Sequence, residues 1–139
     1  DNPELLEGAI EEILRFDPAV IAFRRTAMKD VEVGGQLIRK GDKIEMFYAS
    51  ANADEDMFSD GDIFDITRAQ REDVKNNHRA FGVGEHFCMG SHLARLELKV
   101  IFEEILKHIR NPRLKGDINW LRSNFIHGIK KMPIEFDVV

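Results

Sequence analysis

The residues best suited to chemistry lie in one ten-residue stretch, Phe81 to Gly90, which reads FGVGEHFCMG. It contains the only cysteine of the chain, Cys88, directly before the longest apolar helical pattern. Unpaired backbone N–H groups at a helix N-terminus can hydrogen-bond a thiolate and offset its charge. Gly82 and Gly84 would let the backbone turn tightly and approach a flat ligand without a Cβ in the way. These residue types would therefore allow a thiolate here, with space for a flat ligand beside it.

The pattern Phe-x-x-Gly-x-x-x-Cys-x-Gly resembles the haem-ligand loop of the cytochrome P450 family. The resemblance implies that Cys88 is the axial ligand of the iron of haem b (iron protoporphyrin IX), with Phe81, Gly82 and Gly90 beside the cofactor. Phe81 and Phe87 would shield the sulfur from water and so strengthen the electrostatic control of an iron–sulfur bond.

Two other interpretations of this loop remain open. The first is a buried, chemically inert cysteine at a glycine-rich turn. The second is a zinc site formed by His86, Cys88 and His92, which lacks the additional spaced ligands of a structural zinc centre.

A Glu-x-x-Arg motif lies on the first predicted helix, at Glu12 and Arg15. Helical spacing places both side chains on one face, where they can form a bidentate ion pair. An ordinary surface pair is the alternative, with Glu11 as the competing partner of Arg15. The resemblance implies that Arg68 matches the arginine of the family's meander and completes a Glu-Arg-Arg triad, which would order the acidic loop before it.

Haem carries two propionates, which need cations or hydrogen-bond donors. The resemblance implies that Arg25 and His86 bind them. Arg24, next to Arg25, is an alternative propionate ligand, and it could equally be a solvated surface arginine.

Two apolar runs resemble the family's segments that border the substrate. They are Val20, Ile21, Ala22 and Phe23 in the first run, and Phe125 and Ile126 in the second. They imply an apolar small-molecule substrate, although core packing would explain them nearly as well. General similarity points to bacterial members that oxidise sterols, terpenoids or fatty chains.

Arg95, on the helix after Cys88, matches a family position on the face that docks the electron donor. The resemblance implies a ferredoxin-type or flavin reductase donor. Arg71, Lys75 and Arg79 would extend this basic surface toward an acidic partner.

Apolar periodicity predicts the elements that position these residues. We expect a helix capped at Asp1 or Asn2 and ending near Asp17, a hairpin turning at Gly34-Gly35, and a strand through Ile44, Met46 and Tyr48. The stretch 52–80 is weakly periodic, and Phe58 and Phe64 favour an ordered loop. The helix from about 90 to 109 has an apolar arc so wide that burial on most sides is expected. Strand-like runs at 120–121 and 133–138 bracket a turn near 127–128.

Composition limits the class of protein. The 139 residues are 43% hydrophobic and 32% charged, with a formal net charge of −5. The acidic balance argues against nucleic-acid binding, and no apolar run is long enough to cross a bilayer. Residues 1–4 are typical of a helix start rather than a secretion signal. The lone cysteine fits a reducing compartment, so we expect a cytoplasmic protein.

The expected fold class is α+β, mainly α, and the resemblance implies the C-terminal part of the cytochrome P450 fold. Residues 1–139 would form an incomplete, haem-binding portion of that domain. The implied function of the parent is a haem-dependent monooxygenase that inserts one oxygen atom from O2 into an apolar substrate; the isolated fragment is expected to be inactive. A haem-thiolate peroxygenase and a non-catalytic haem-binding sensor or interaction protein are the alternatives.

Overall fold

The structure is a computed structural model that describes residues 2–139. Its described residues form four α-helices: α1 Leu6–Phe16, α2 Tyr48–Asn52, α3 Val74–Asn77 and α4 Ser91–His108. Eight strands accompany them: β1 Ala22–Thr26, β2 Val31–Val33, β3 Gln36–Ile38, β4 Lys43–Phe47, β5 Ile109–Leu114, β6 Asn119–Trp120, β7 Ile129–Lys131 and β8 Ile134–Val138. The strands pair as β1–β4, β2–β3, β5–β8 and β6–β7, each pair antiparallel.

Local sequence signals explain where the first helix begins and ends. Asn2 caps a short 3-10 turn, Pro3–Leu5, by accepting the backbone N–H of Glu4 at 3.2 Å. Proline is tolerated in this first turn because its missing N–H would be unpaired there anyway. The helix ends at Phe16, with Asp17 as its C-cap, since a residue preceding proline disfavours the helical conformation. The predicted helix is confirmed, with Asn2 as the cap of the 3-10 turn that leads into it; Asp1, the other predicted cap, lies outside the described residues.

The hairpin between β2 and β3 turns at Gly34 and Gly35, whose φ angles are 56° and 76°. Positive φ at both central residues is what a two-residue turn of type I′ requires, and glycine adopts it without steric cost. In β4, Ile44 and Met46 are half-buried and alternate with exposed residues, as predicted. Tyr48, which was expected in this strand, lies outside it; it begins α2 and is buried.

The side chains most completely removed from solvent include several that carry charge. Phe58 and Val74 are buried apolar residues, and Glu12, Arg15 and Arg68 are buried to the same degree, each at most 1% exposed. The segment between α2 and α4 is ordered, with a short 3-10 turn at Arg68–Gln70 and the helix α3. Its internal order therefore rests on buried ion pairs as well as on apolar packing.

The expectation that α4 is buried on most sides is wrong for this chain. Only Ser91 of this helix is buried, while Leu93, Leu96 and Ile101 are each more than half exposed. The apolar arc has the composition of an interior helix, but among the described residues α4 packs mainly against α1 and against β5, which follows it directly. Apolar periodicity shows which face of a helix favours burial, but it does not show whether another element packs on that face.

The C-terminal strands pair differently from the prediction. The runs at 120–121 and 133–138 do not face each other: β6 pairs with β7, and β8 pairs with β5. Sequence reasoning missed β5 because it contains Pro112 and Asn111, the latter with a φ of 50°. The register shifts between Arg110 and Arg113, which is where a proline can be accommodated in a strand.

Candidate functional site

The loop before α4 is bent by glycines and closed by backbone hydrogen bonds. Gly82 and Gly84 have φ angles of 74° and 70°, a region that side chains with a Cβ rarely adopt. A Cβ on Gly82 would lie 3.1 Å from the Tyr48 hydroxyl oxygen, so glycine is also required for space. The backbone N–H of Cys88 donates to the carbonyl oxygen of Phe81 at 2.9 Å, and this bond ties the two ends of the loop together.

This loop presents the cysteine to the surface. Cys88 is exposed, and the residues from Val83 to Gly90 are exposed with it. A Cβ on Gly90 would lie 3.8 Å from the Cys88 Sγ, an ordinary van der Waals contact. Within the described residues the Cys88 side chain is therefore not buried, which differs from the interpretation as a buried, inert cysteine. Among residues 2–139 no three ligating side chains converge as a metal cluster, which removes the support for a zinc site.

The structure brings Glu12, Arg15 and Arg68 together although Arg68 lies far along the chain. The Glu12 carboxylate accepts from Arg15 Nε and Nη2 at 2.7 and 2.8 Å, and from Arg68 Nε at 3.2 Å. All three side chains are fully buried. Burial by itself would raise the pKa of Glu12, but the hydrogen bonds and charges of the two arginines outweigh it and lower the pKa.

The two guanidinium groups also hold the backbone of the acidic segment. Arg15 Nη1 donates to the carbonyl oxygens of Asn52 and Gly61 at 2.5 and 2.7 Å. Arg68 Nη2 donates to the carbonyl oxygens of Asp60 and Ile63, both at 2.9 Å. These bonds satisfy backbone groups that a loop without regular secondary structure would otherwise leave unpaired.

Glu11 does not compete for Arg15. It forms a bidentate pair with Arg95 on α4, at 2.6 and 2.9 Å, and approaches His78 Nε2 at 3.0 Å. Burial alone would raise the pKa of Glu11, but hydrogen bonds from His78 and Arg95 lower it to about 2. Arg95 was expected on the face that docks the electron donor. Two of its guanidinium nitrogens instead donate hydrogen bonds to Glu11, and its side chain is only 17% exposed. Sequence reasoning missed His78, because nothing in the local sequence marks its contact with a residue 67 positions away.

The two propionate candidates lie on different elements. His86 is exposed, in the short 3-10 turn Gly84–His86. Arg25 is half-buried on β1, has no acidic partner among residues 2–139, and places its guanidinium carbon 5.8 Å from the centre of the Phe23 ring. Successive residues of a strand face opposite ways, so Arg24 points away from the face shared by Phe23 and Arg25. No hydrogen bond joins Arg25 to the cysteine loop in the described residues.

The two predicted substrate segments meet, although a hundred positions separate them. Val20 and Ile126 form an antiparallel β-bridge, and the backbone N–H of Ile21 donates to the carbonyl oxygen of Phe125 at 2.9 Å. The rings of Phe23 and Phe125 pack edge to face with centroids 5.3 Å apart. Both rings stay partly exposed, at 38% and 45%, whereas Ala22 beside them is buried.

A comparison with protein-family models assigns residues 2–118 to the model described as Cytochrome P450. The chain belongs to the cytochrome P450 family. The suspected family is thereby confirmed, and so is the fold class, an α+β C-terminal part of the P450 fold.

Individual relatives agree with this assignment. Cytochrome P450-terp of a Pseudomonas species is 44% identical over 135 residues, which cover 97% of this chain and 30% of the relative. Linalool 8-monooxygenase of Pseudomonas putida is 44% identical over 133 residues, covering 96% and 32%. The solved structure of cytochrome P450 CREJ superposes with a TM-score of 0.90 at 34% identity, covering 98% of this chain and 33% of that one. The chain thus spans about a third of the length of these P450s.

The P450 family implies a haem iron, and the residues present fit that group. The donor set is a single accessible thiol on a loop whose outer face is open, which suits one axial ligand and a flat macrocycle rather than a closed cage. Arg25 offers a cation without an acidic partner among residues 2–139. In the same part of the chain, no helix is both long and apolar enough to span a membrane.

Proposed function

We propose that residues 1–139 form the C-terminal, haem-binding portion of a cytochrome P450 monooxygenase, an incomplete domain that does not turn over by itself. The observation that carries the proposal is the exposed Cys88 at the N-terminus of α4, on a loop bent by Gly82 and Gly84.

Cys88 is the proposed axial ligand of the iron of haem b. Phe81, Gly82 and Gly90 shape the loop on either side of the sulfur, and the ring of Phe87 packs 6.4 Å from that of Phe81. This aromatic pair limits the approach of water to the ligand. Backbone N–H groups at the start of α4 offset the charge of the thiolate.

Arg25 and His86 are the proposed partners of the two haem propionates. Arg25 fits because its strand face is shared with Phe23 and its charge is free of an acidic neighbour within residues 2–139. Haem, when bound, supplies the activation of dioxygen, and in P450s the thiolate donates electron density that favours cleavage of the O–O bond. This chain contributes the ligand, the shielding around it and part of the substrate surface.

The substrate is proposed to be an apolar small molecule. Val20, Ile21 and Phe23 on one segment, with Phe125 and Ile126 on the other, form one partly exposed apolar surface. Ala22 lies in the same run, but it is buried and contributes only to packing. One relative bears the name linalool 8-monooxygenase, which is in keeping with an apolar substrate for this surface.

The electron donor is proposed to be a ferredoxin-type protein or a flavin reductase that docks beside α4. Lys75 and Arg79 line the same surface cleft as Arg95 and have no ion-pair partner among residues 2–139. Since Arg95 is held by Glu11, these two side chains supply the free positive charge for an acidic donor. The proposed location of the protein is the cytoplasm, where such donors and a reduced cysteine are found.

The function is tested with the complete P450 that contains this chain, supplied with an electron donor, an apolar substrate and ¹⁸O2. A monooxygenase incorporates one labelled oxygen atom per product and needs the donor. Turnover that occurs with peroxide but not with the electron donor and O2 would identify a peroxygenase. Haem binding without product under either condition would identify a sensor or interaction protein.

A further inference from the structure

A second buried charge cluster lies beside the triad and has no part in the function proposed so far. Glu11 on α1 holds Arg95 on α4 through two hydrogen bonds, at 2.6 and 2.9 Å. His78, which directly follows α3, is buried and approaches the same carboxylate at 3.0 Å. The cluster therefore joins three elements at a single carboxylate.

The hydrogen bonds of His78 fix its tautomer. Its Nδ1 accepts the backbone N–H of Ala80 at 3.1 Å, so the ring proton is on Nε2, from which it is donated to Glu11. The imidazole thus ties the carboxylate to the backbone at position 80. That position directly precedes the cysteine loop.

Both partners of Glu11 lie against Phe81, the first residue of the cysteine loop. The guanidinium carbon of Arg95 is 4.7 Å from the centre of the Phe81 ring, within the range of a cation–π contact. The centroid of the His78 ring lies 6.0 Å from the centroid of the Phe81 ring. The Phe81 carbonyl oxygen in turn accepts the backbone N–H of Cys88 at 2.9 Å. A continuous set of contacts thus leads from Glu11 to the cysteine.

We propose that Glu11 is a positioning residue for the cysteine ligand. It holds Arg95 and His78 against Phe81 so that the Phe81 carbonyl oxygen closes the loop on the Cys88 amide. The proposal rests on the proposed function in one respect, namely that Cys88 is the ligand that this loop presents.

A neighbouring ion pair separates positioning from simple helix packing. Glu7 and Lys99 join the same two helices one helical turn away, at 2.6 Å, but their side chains are 78% and 41% exposed. They make no contact with the cysteine loop among the hydrogen bonds, ion pairs and ring contacts of the described residues. Glu7→Gln is therefore the matched control: it removes an α1–α4 bridge and leaves the contacts of Phe81 in place.

The experiment uses the complete P450 that contains this chain, as wild type, Glu11→Gln, Arg95→Lys and Glu7→Gln. Amide hydrogen exchange of the complete protein as isolated reports the Cys88 N–H and, as reference, amides in the middle of α4. The haem-loaded protein reports the share of its reduced carbon-monoxide complex that has a thiolate-type Soret band. Arg95→Lys keeps the positive charge but loses the planar guanidinium, which forms the bidentate hydrogen bonds to Glu11 and lies over the Phe81 ring.

In Glu11→Gln and Arg95→Lys we expect the Cys88 amide hydrogen to exchange roughly tenfold faster than in the wild type. This is the order expected when a charge-assisted hydrogen bond is lost. The reference amides should stay at the wild-type rate, and the thiolate-type share should fall. Glu7→Gln should match the wild type throughout. Wild-type exchange at Cys88 in both cluster variants, or equal acceleration in Glu7→Gln, would overturn the proposal.

Failure of the proposed function gives a different result. If Cys88 were not the ligand, the wild type itself would lack the thiolate-type band, while the amide exchange rates would still report on the loop. Should Glu11→Gln fail to fold, Arg95→Lys tests the same contact from the other side.

Discussion

Ile21 donates its backbone N–H to the carbonyl oxygen of Phe125 at 2.9 Å, which joins the stretch after α1 to the tip of the C-terminal hairpin. Beside this bond, Phe23 and Phe125 pack edge to face and remain partly exposed. The two aromatic rings therefore form an exposed apolar surface, and the backbone hydrogen bond holds the segments that carry them. It leads to a first prediction about substrate binding.

Phe125→Ala should weaken the binding of an apolar ligand about tenfold, since burying a phenylalanine side chain contributes roughly 1.5 kcal/mol or more and about 1.4 kcal/mol is a factor of ten in affinity. The measurement is a spectral titration of the complete, haem-loaded P450. Ile129→Ala is the control, because Ile129 lies on the same hairpin and is also 45% exposed. Equal losses in the two variants would show that hairpin stability, not contact with the ligand, is responsible.

A second prediction concerns the triad. Glu12→Gln leaves two buried guanidinium groups without their shared anion, and removing one partner of a buried ion pair costs about 3 kcal/mol or more. Denaturant unfolding of the complete protein measures the loss. Glu104→Gln, which removes the partner of Lys107 at a side chain 56% exposed, should change stability by less than about 0.5 kcal/mol. A Glu12→Gln protein as stable as the control would contradict the structural role of the triad.

The third prediction follows from the lowered pKa of Glu11. Its pKa falls from 4.5 to about 2 in the folded protein, so the unfolded chain takes up a proton first as the solution is acidified. The stability that this carboxylate contributes is therefore fully present above pH 4.5 and is lost as the pH falls toward 2.

Unfolding free energies of wild type and Glu11→Gln, measured from neutral pH downward, provide the check. The difference between the two proteins should be constant above pH 4.5 and shrink below it. Carboxylates that do not interact with Glu11 titrate alike in both proteins, so their contributions cancel; Glu7 lies near enough to feel the Glu11 charge, and the comparison is therefore repeated in a Glu7→Gln background. A difference that grows on acidification would contradict the assigned pKa direction.

Much of the site could be predicted because its signals are local. Gly34-Gly35 specifies a turn, and the spacing of Glu12 and Arg15 follows from one helical turn. The cysteine loop is a ten-residue pattern in which Gly82 and Gly84 have the positive φ that their residue type favours. Each of these features needs no knowledge of distant parts of the chain.

Features that depend on distant partners could not be predicted from the residues alone. The partners of Glu11 are His78 and Arg95, which lie 67 and 84 positions away in the sequence. Local spacing alone indicates only that Glu11 could compete with Glu12 for Arg15. The pairing of β5 with β8 is likewise non-local, and Pro112 disguises the strand. The apolar arc of α4 was recognised, but its exposure depends on which surfaces lie next to it.

The most direct test of the central claim, that Cys88 ligates the haem iron, is the reduced carbon-monoxide difference spectrum of the complete protein. We predict a Soret band characteristic of thiolate ligation in the wild type and its loss in Cys88→Ala. A wild-type band characteristic of imidazole ligation would contradict the account.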